Sequence, residues 1–349
     1  MTQVPRWIVG VLVLASSSLL HTADRGLDPS YTLSAPDRET QMPNALDVDN
    51  WAWNHWTGRY LITHNLRAAP NLPVLALFDS SGARVRSGTV WFSSAAKVSV
   101  RGVTVDNGGT IFVSGAARSS DGALADFIAQ LNPEGQVSDV VRTNPYLGLH
   151  LCTVAPGNVW ALGYDRDARR NGSPNLMLRQ FDLSKGEVRS TLDMNSVSES
   201  ARPLNTEKMS LFCNIHTVGA FFDLGNGSYE WIELDVDDFR LSKWRLPNLR
   251  EGAEVNGVAM TSNGHLYASV HNYSSHGPFA ALFVLRKQEQ GRAIWTPVRG
   301  TFEKLTPTTV AISRLIGNEN NELIYTTELP QGTVIRWSHV RVEGTESTN

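Results

Sequence analysis

The sequence has few of the residue patterns that define common enzyme and metal-binding families. Its 349 residues include only two cysteines, Cys152 and Cys213, and no Cys/His cluster with the spacing of a zinc site. It has no G-x-S-x-G nucleophile turn, no phosphate-binding P-loop, no G-x-G-x-x-G segment opening a helix, and no EF-hand loop. The chemistry that each of these motifs supports is therefore not indicated.

The sequence also lacks an excess of positive charge and has no long apolar segment beyond its beginning. Lys and Arg total 31 against 34 Asp and Glu, for a net charge of -3, so nucleic acid is not an expected partner. Arg6 precedes an apolar run at residues 7–20 that is short for a membrane span. We interpret residues 1–23 as a signal peptide cleaved after Ala23, although His21 occupies a position that usually holds a small residue. An uncleaved anchor is the alternative. The mature protein is expected to be exported, to a periplasm or out of the cell, with no membrane span.

Short strand patterns separated by turn residues recur along the chain, with little helical periodicity. In "VDNGGTIFVSG", residues 105–115, an Asn-Gly-Gly turn precedes an apolar run rich in β-branched residues. The same unit occurs about six times. Its second strands are "GRYLITHN", "GTIFVSG", "GNVWALG", "VGAFFDL", "GHLYASV" and "NELIYTT". Its third strands are "VLALFDSSG", "FIAQLNPEG", "LRQFDLSKG", "WIELDVDDF", "LFVLRKQEQG" and "VIRWSHVRV".

The rhythm of "VDNGGTIFVSG" and "QLNPEGQV" resembles that of six-bladed β-propellers of the NHL-repeat, TolB-like and gluconolactonase-like groups. The resemblance implies an all-β fold, a single six-bladed β-propeller with four-stranded antiparallel blades over residues 46–344, followed by a tail at 345–349. It is specific for architecture and says little about activity. A two-domain β-sandwich and a propeller with a seventh, degenerate blade are the alternatives.

The last repeat, which ends in "TVIRWSHVRVEG", supplies a third strand but no clear fourth strand. The leader at residues 24–45 contains a β-favouring run at Tyr31 to Ser34. We predict that this run is the outermost strand of the last blade, so that the N-terminal strand closes the ring. A flexible leader is the alternative.

The connections between second and third strands are predicted to be longer than the other turns. They include "HNLRAAPN", "ARSSDGALA", "YDRDARRNGSPN" and "VHNYSSHGPF", and they share one face with the links between blades. Binding sites are often built from loops on a rigid scaffold, so we expect a polar or anionic ligand on this face. A solvated rim is the alternative. The candidate ligand-binding residues are His64, Arg101, His150, Asn214, Glu254, Asn256 and His271.

These features favour a binding or protein-interaction scaffold. The expected partner is a protein, a polar small molecule or a carbohydrate, and the protein is expected to be a monomer. The alternative, implied by the gluconolactonase-like resemblance, is a metal-dependent hydrolase with its site at the mouth of the central channel. Glu254, Asn256 and Asn214 would then hold Ca²⁺ or Zn²⁺, which would polarise a lactone carbonyl and activate water.

Two further residue pairs leave their roles open. Trp51 and Trp53 would share one face of a strand, where they would either pack between blades or form a carbohydrate-stacking platform. Cys152 and Cys213 each precede a second strand by about six residues, which places them at equivalent sites in neighbouring blades. A disulfide would require their Cα atoms to lie within about 7 Å, and buried free thiols are the alternative.

Overall fold

A computed structural model of the chain describes residues 29–41, 46–54, 59–66, 69–79, 81, 83–106, 108–132, 135–155, 157–167, 176–194, 209–225, 227–249, 253–261, 264–272, 279–300, 312–317, 322–329 and 332–343. Tyr31–Val342 form one compact unit. The chain termini form a second unit, of which only residues 29, 30 and 343 are described. The predicted signal peptide and the tail at 345–349 lie outside the described residues.

The described part of the chain is all β, apart from short turns such as the 3₁₀ turn Glu289–Gly291. Two short strands come first, β1 (Ser30–Leu33) and β2 (Arg38–Gln41). The remaining strands follow one another as antiparallel meanders, in which each strand pairs with the next one along the chain.

The first three meanders are separate four-stranded sheets. Meander 1 consists of β3 (Leu46–Asn54), β4 (Arg59–Leu66), β5 (Ala69–Phe78) and β6 (Arg84–Thr89). Meander 2 consists of β7 (Ala95–Val105), β8 (Ile111–Ser119), β9 (Leu124–Leu131) and β10 (Val137–Arg142). Meander 3 consists of β11 (Tyr146–Ala155), β12 (Asn158–Asp165), β13 (Leu176–Asp182) and β14 (Glu187–Asp193).

The later meanders are joined to one another by parallel pairings at their outer strands. Meander 4 consists of β15 (Met209–Cys213), β16 (Thr217–Gly225), β17 (Ser228–Asp235) and β18 (Leu241–Leu246). Meander 5 consists of β19 (Ala253–Met260), β20 (Leu266–Asn272), β21 (Phe279–Gln288) and β22 (Arg292–Arg299). Meander 6 consists of β23 (Ile312–Gly317), β24 (Glu322–Leu329), β25 (Gly332–Glu343) and, from the beginning of the chain, β2. The second and third strands predicted for all six repeats are confirmed.

Both N-terminal strands lie along β25, the third strand of meander 6. The predicted strand, β1, is hydrogen-bonded to β25, and just after it the backbone N–H of Ser34 donates to the carbonyl of His339 at 2.8 Å. β2 pairs with the preceding part of β25 and is the fourth strand of meander 6 there. β1 also pairs in parallel with β22 of meander 5, through Tyr31 opposite Val298 and Thr32 opposite Arg299. The apolar side chains of Tyr31 and Leu33 favour a buried position, whereas an outermost strand exposed to water accepts the polar sequence "RETQ".

Hydrophobic clusters lie between successive meanders, because the third strands bury both of their faces. In β9, Phe127 and Ala129 pack against side chains of meander 1, whereas Ile128 packs against meander 3. Successive side chains on a strand point to opposite faces, so a strand covered on both sides has a continuous apolar run such as "FIA". Similar clusters join meander 3 to meander 4, meander 4 to meander 5, and meander 5 to meander 6 together with β1.

Candidate functional site

The antiparallel order gives each meander two ends. We call the end with the connections between first and second strands and between third and fourth strands the turn end. The link end carries the connections between second and third strands and the links to the next meander. The predicted loop-rich face is the link end, but strand pairing extends through much of the predicted loops. Only residues 67–68 separate β4 from β5, whereas residues 166–175 and 273–278 separate the corresponding strands of meanders 3 and 5.

At the turn end, side-chain oxygens are used to hold the turns themselves. The Oδ1 atom of Asp106 accepts hydrogen bonds from the backbone N–H groups of Gly108 and Thr110, at 2.9 and 2.8 Å. The Oδ1 atom of Asp79 accepts from Ser81 and Ala83 at 2.8 and 3.0 Å. Short polar side chains commonly stabilise turns in this way. These carboxylates are therefore committed to local structure.

Asn214 belongs to this turn end. Its Oδ1 atom accepts hydrogen bonds from the backbone N–H groups of His216 and Thr217, at 2.9 and 2.8 Å. An amide oxygen has two lone pairs, so both are occupied by this turn. Asn214 follows β15, whereas Glu254 lies near the beginning of β19, at the link end of meander 5. The described structure therefore does not bring Asn214 together with Glu254.

A β-bulge recurs in the first strand of five meanders, toward the link end. In meander 2, Val100 pairs with Gly115 and Gly102 with Ser114, so Arg101 is an extra residue with no partner on β8. Bulges of this kind re-aim a side chain and are frequent beside binding sites. The extra residues of the five bulges are Asp49, Arg101, Leu149, Asn256 and Ser313.

The bulges of meanders 2 and 3 lie side by side. A Cβ atom on Gly102 would lie 2.8 Å from the carbonyl oxygen of Leu149 and 2.7 Å from the Oγ atom of Ser114. Only glycine allows so close an approach between the two first strands. Arg101 directly precedes Gly102 and His150 directly follows Leu149, so both residues flank this contact.

Six of the seven predicted ligand-binding residues lie at or within two residues of these bulges, on first strands or on the second strands paired with them. Arg101 and Asn256 are bulge residues, and His150 follows a bulge directly. Glu254 lies two residues before a bulge and pairs with His271 on β20. The sixth residue, His64 on β4, pairs with the residue just before the bulge of meander 1.

The exposure of these side chains differs. Arg101 and Glu254 are exposed, and His150 is half-buried. The side chains of His64, Asn256 and His271 lie outside the described part of the structure, as do those of Trp51 and Trp53. The positions of these five residues are therefore known only from the strands that carry them.

A buried ion pair that could not be predicted from the sequence lies beside the longest connection between a second and a third strand, residues 166–175. The Nε atom of Arg166, just after β12, lies 2.7 and 2.8 Å from the two carboxylate oxygens of Asp126 near the beginning of β9. The Asp126 side chain is fully buried, and Asn144 accepts a hydrogen bond from its backbone N–H. The backbone N–H of Arg166 donates to the carbonyl of Pro145. This network fixes the beginning of the connection at residues 166–175 against meander 2.

Burial raises the pKa of the Asp126 carboxyl above its ordinary value, and the Arg166 guanidinium only partly opposes this effect. The folded protein then binds this proton more tightly than the unfolded chain does. The contribution of Asp126 to stability is therefore greatest at low pH and falls as the pH rises from about 4 through the raised pKa.

Asp126→Asn, which cannot titrate, is expected to gain stability relative to the wild type as the pH rises through this window. A tenfold difference in proton affinity between the folded and unfolded states corresponds to about 1.4 kcal/mol. Urea unfolding of both proteins at pH 3.5 and pH 6 measures the difference. A difference in unfolding free energy that stays constant, or that moves in favour of the wild type, would contradict the assignment.

Two features are absent from the described residues. No group of three or more His, Cys, Asp or Glu side chains there could hold a metal ion. In that same part of the chain, no helix has the length and apolar character needed to cross a membrane.

Comparison with known proteins shows a distant structural similarity. No family model matches the sequence. No curated protein matches it. Among solved structures, the chain is similar to the crystal structure of AofleA from Arthrobotrys oligospora, with 11% sequence identity, a TM-score of 0.48, and coverage of 92% of this chain and 91% of that one. At these values the similarity carries no functional conclusion.

Proposed function

We propose that the protein is an exported six-bladed β-propeller that acts as a binding or protein-interaction scaffold, with its ligand at the link end of the first strands. Packing of the first strands supports the ring. β3 contacts β7, β7 contacts β11, β11 contacts β15, β15 contacts β19, β19 contacts β23, and β23 contacts β3. Contacts in this cyclic order are those of blades arranged around an axis.

The close contact between Gly102 and Leu149 is the main observation that supports this choice of site. It aligns the bulges of two neighbouring first strands, and exposed Arg101 and half-buried His150 flank the contact. In a propeller, residues at the link end of the first strands surround the mouth of the central channel. Arg101 would then offer a guanidinium to a carboxylate, a phosphate or a sugar hydroxyl.

The proposed ligand is therefore a polar or anionic group, carried by a protein, a small molecule or a carbohydrate. The commitment of turn-end oxygens to their own turns supports this choice of end. Export is supported by the disulfide between Cys152 and Cys213, because such bonds persist mainly in oxidising compartments.

Arg101→Ala is expected to weaken binding of any ligand found for this site by at least about tenfold, as expected for loss of a charge-assisted hydrogen bond. A thermal-shift panel of sugars, sugar acids, dicarboxylates and inorganic phosphate on the mature protein would identify a stabilising ligand. Calorimetric titration of that ligand into the wild type and the variant then measures the loss of affinity.

Lys185→Ala is the matched control, because Lys185 is an exposed cation in the β13–β14 turn, at the opposite end. This variant should bind the ligand as the wild type does. Equal binding by Arg101→Ala and the wild type, or equal weakening by both variants, would contradict the proposed site.

A metal-dependent hydrolase is the second candidate, and the arrangement of β19 is what favours it. Exposed Glu254 lies two residues from Asn256, which occupies a bulge. Ca²⁺ and Zn²⁺ therefore belong in the same thermal-shift panel. A metal-dependent rise in melting temperature that is lost in Glu254→Gln would favour this candidate, and a rise that persists in Glu254→Gln would exclude Glu254 as a ligand.

A further inference from the structure

Two tryptophans and a glutamate form one surface on meander 4, away from the proposed channel site. Trp231 on β17 and Trp244 on β18 are cross-strand partners, and their ring centroids lie 5.3 Å apart. Glu233 follows Trp231 by two residues and therefore shares its face of the strand. Trp231 is fully buried, whereas Trp244 and Glu233 are partly accessible.

A cation from the next meander sits in the middle of this surface. The Nζ atom of Lys287 on β21 lies 4.7 Å from the ring centroids of both Trp231 and Trp244, and 2.7 Å from an Oε atom of Glu233. Elsewhere, Arg38 and Arg179 each lie over a single ring, that of Trp337 or Tyr146. Two aromatic faces and one carboxylate around an ammonium group make up the chemistry that proteins use to recognise ammonium ligands.

Trp231 contributes the face of its ring to this surface and no hydrogen bond from its indole nitrogen. The indole Nε1 of Trp231 is buried and has no hydrogen-bond partner among the described residues. A donor in this state is uncommon in folded proteins, because leaving it unpaired costs free energy. Gly219 on the neighbouring strand β16 lies beside this nitrogen, and a Cβ atom added there would lie 3.5 Å from Nε1, 3.8 Å from Sδ of Met260 and 3.9 Å from Cγ of Glu233. Gly219 therefore adds no side chain over this edge of the indole.

We infer that Trp231, Trp244 and Glu233 form an ammonium-binding site that Lys287 occupies in the free protein. An external ammonium group, either a quaternary ammonium or a lysine side chain of a partner, takes the same position when Lys287 turns outward. Lys287 is partly exposed, and its position next to the end of β21 leaves solvent into which its head group moves. The site is independent of the channel site, so it stands even if the proposed function fails.

Titration of tetramethylammonium into the mature protein tests the inference, with the indole NMR signals of Trp231 and Trp244 as the readout. The wild type should bind weakly, with shifts of both signals, because Lys287 competes. Lys287→Ala removes the competitor and should bind at least ten times more tightly. N-acetyl-lysine amide, titrated in parallel, distinguishes a lysine side chain from a quaternary ammonium as the preferred ligand.

Three variants serve as controls. Lys243→Ala removes a neighbouring cation that pairs with Glu230 rather than with the tryptophans, and it should bind as the wild type does. Glu233→Gln and Trp244→Leu, each added to Lys287→Ala, should reverse the gain in affinity. Where Lys287→Ala lowers the unfolding midpoint, Lys287→Met preserves the aliphatic stem and gives the same comparison.

Three results would overturn the inference. Lys287→Ala and Lys287→Met could bind tetramethylammonium no more tightly than the wild type does. Binding could survive the loss of Glu233 and Trp244. Binding could also be confined to the lysine variants, with none to the wild type, in which case the substitution would have made a cavity rather than freed a site.

Discussion

Replacing both Cys152 and Cys213 with alanine is expected to lower the free energy of unfolding by about 4 kcal/mol. The loss is expected because a disulfide between residues far apart in sequence lowers the conformational entropy of the unfolded chain. The two residues are bonded, with Cα atoms 5.5 Å apart and a sequence separation of 61. The long loop makes the entropic effect large, since the cost of closing a loop grows with its length.

Urea unfolding of the double variant and of the oxidised wild type measures this loss. Dithiothreitol provides the control, because it should destabilise the wild type toward the value of the variant and leave the variant itself unchanged. A loss below about 1 kcal/mol would mean that the bond does not constrain the unfolded chain in the way this treatment assumes.

The position of this disulfide explains why its loss should matter to the fold. It joins the first strands of meanders 3 and 4, whose connection, residues 194–208, is the longest between successive meanders. β15 is also the shortest first strand and has no bulge like those of the other five. The sequence placed both cysteines at equivalent positions and left the bond open, because spacing along a chain does not determine the distance between two neighbouring sheets.

The strands could be predicted because the turns between them are stabilised by residues of the turns themselves. Asp106, Gly108 and Thr110 show this, since the carboxylate of Asp106 accepts from the backbone N–H groups of the other two. The same type of turn recurs along the chain, so a reader of the sequence can place the adjacent second and third strands. The order of strands in each meander follows from these short connections.

The bulges could not be predicted, because no particular residue type marks the extra residue of a bulge. Their residues are as different as Arg101, Leu149 and Asn256. The second strands carry one sequence feature of the bulges. The residue that pairs with the position just after a bulge is often a hydroxyl residue, such as Ser114 or Ser269. That pattern becomes meaningful only after the pairing register is known.

Contacts between residues far apart in sequence could not be predicted either. The partners Asp126 and Arg166 are 40 residues apart, and Glu233 and Lys287 are 54 residues apart. In each case the two residues belong to neighbouring meanders, and no local pattern links them. Sequence analysis named Trp51 and Trp53 as candidate aromatic residues, but the aromatic pair whose contacts are described is Trp231 and Trp244.

The place of the first N-terminal strand beside the last sheet could be predicted from its apolar run, but its pairing with meander 5 could not. Tyr31 and Leu33 are 2% and 3% exposed, in a cluster with residues of meanders 5 and 6. The apolar character of this run favours a strand, and it reflects burial between two meanders, because β1 lies between β25 and β22. Gly300, with φ of 135°, lies directly against the end of β1. A Cβ atom at this position would lie 2.7 Å from the carbonyl oxygen of Leu33.

Replacing Tyr31 and Leu33 together with alanine is expected to cost about 6 kcal/mol of unfolding free energy if the two losses add, since truncating a large buried side chain costs about 3 kcal/mol. The loss should exceed that of the double cysteine variant, because it also weakens the attachment of β2. β2 follows β1 by four residues and provides the fourth strand of meander 6. Urea unfolding of the double variant is the measurement.

Thr32→Ala is the matched control, because Thr32 lies between the two buried residues and is only half-buried. It should change stability by less than about 1 kcal/mol, as surface substitutions usually do. Similar unfolding free energies for the control and the double variant would show that the packing of β1 contributes little to the stability of the meanders. A loss confined to the double variant would mean that β1, which lies between β22 and β25, holds meanders 5 and 6 together.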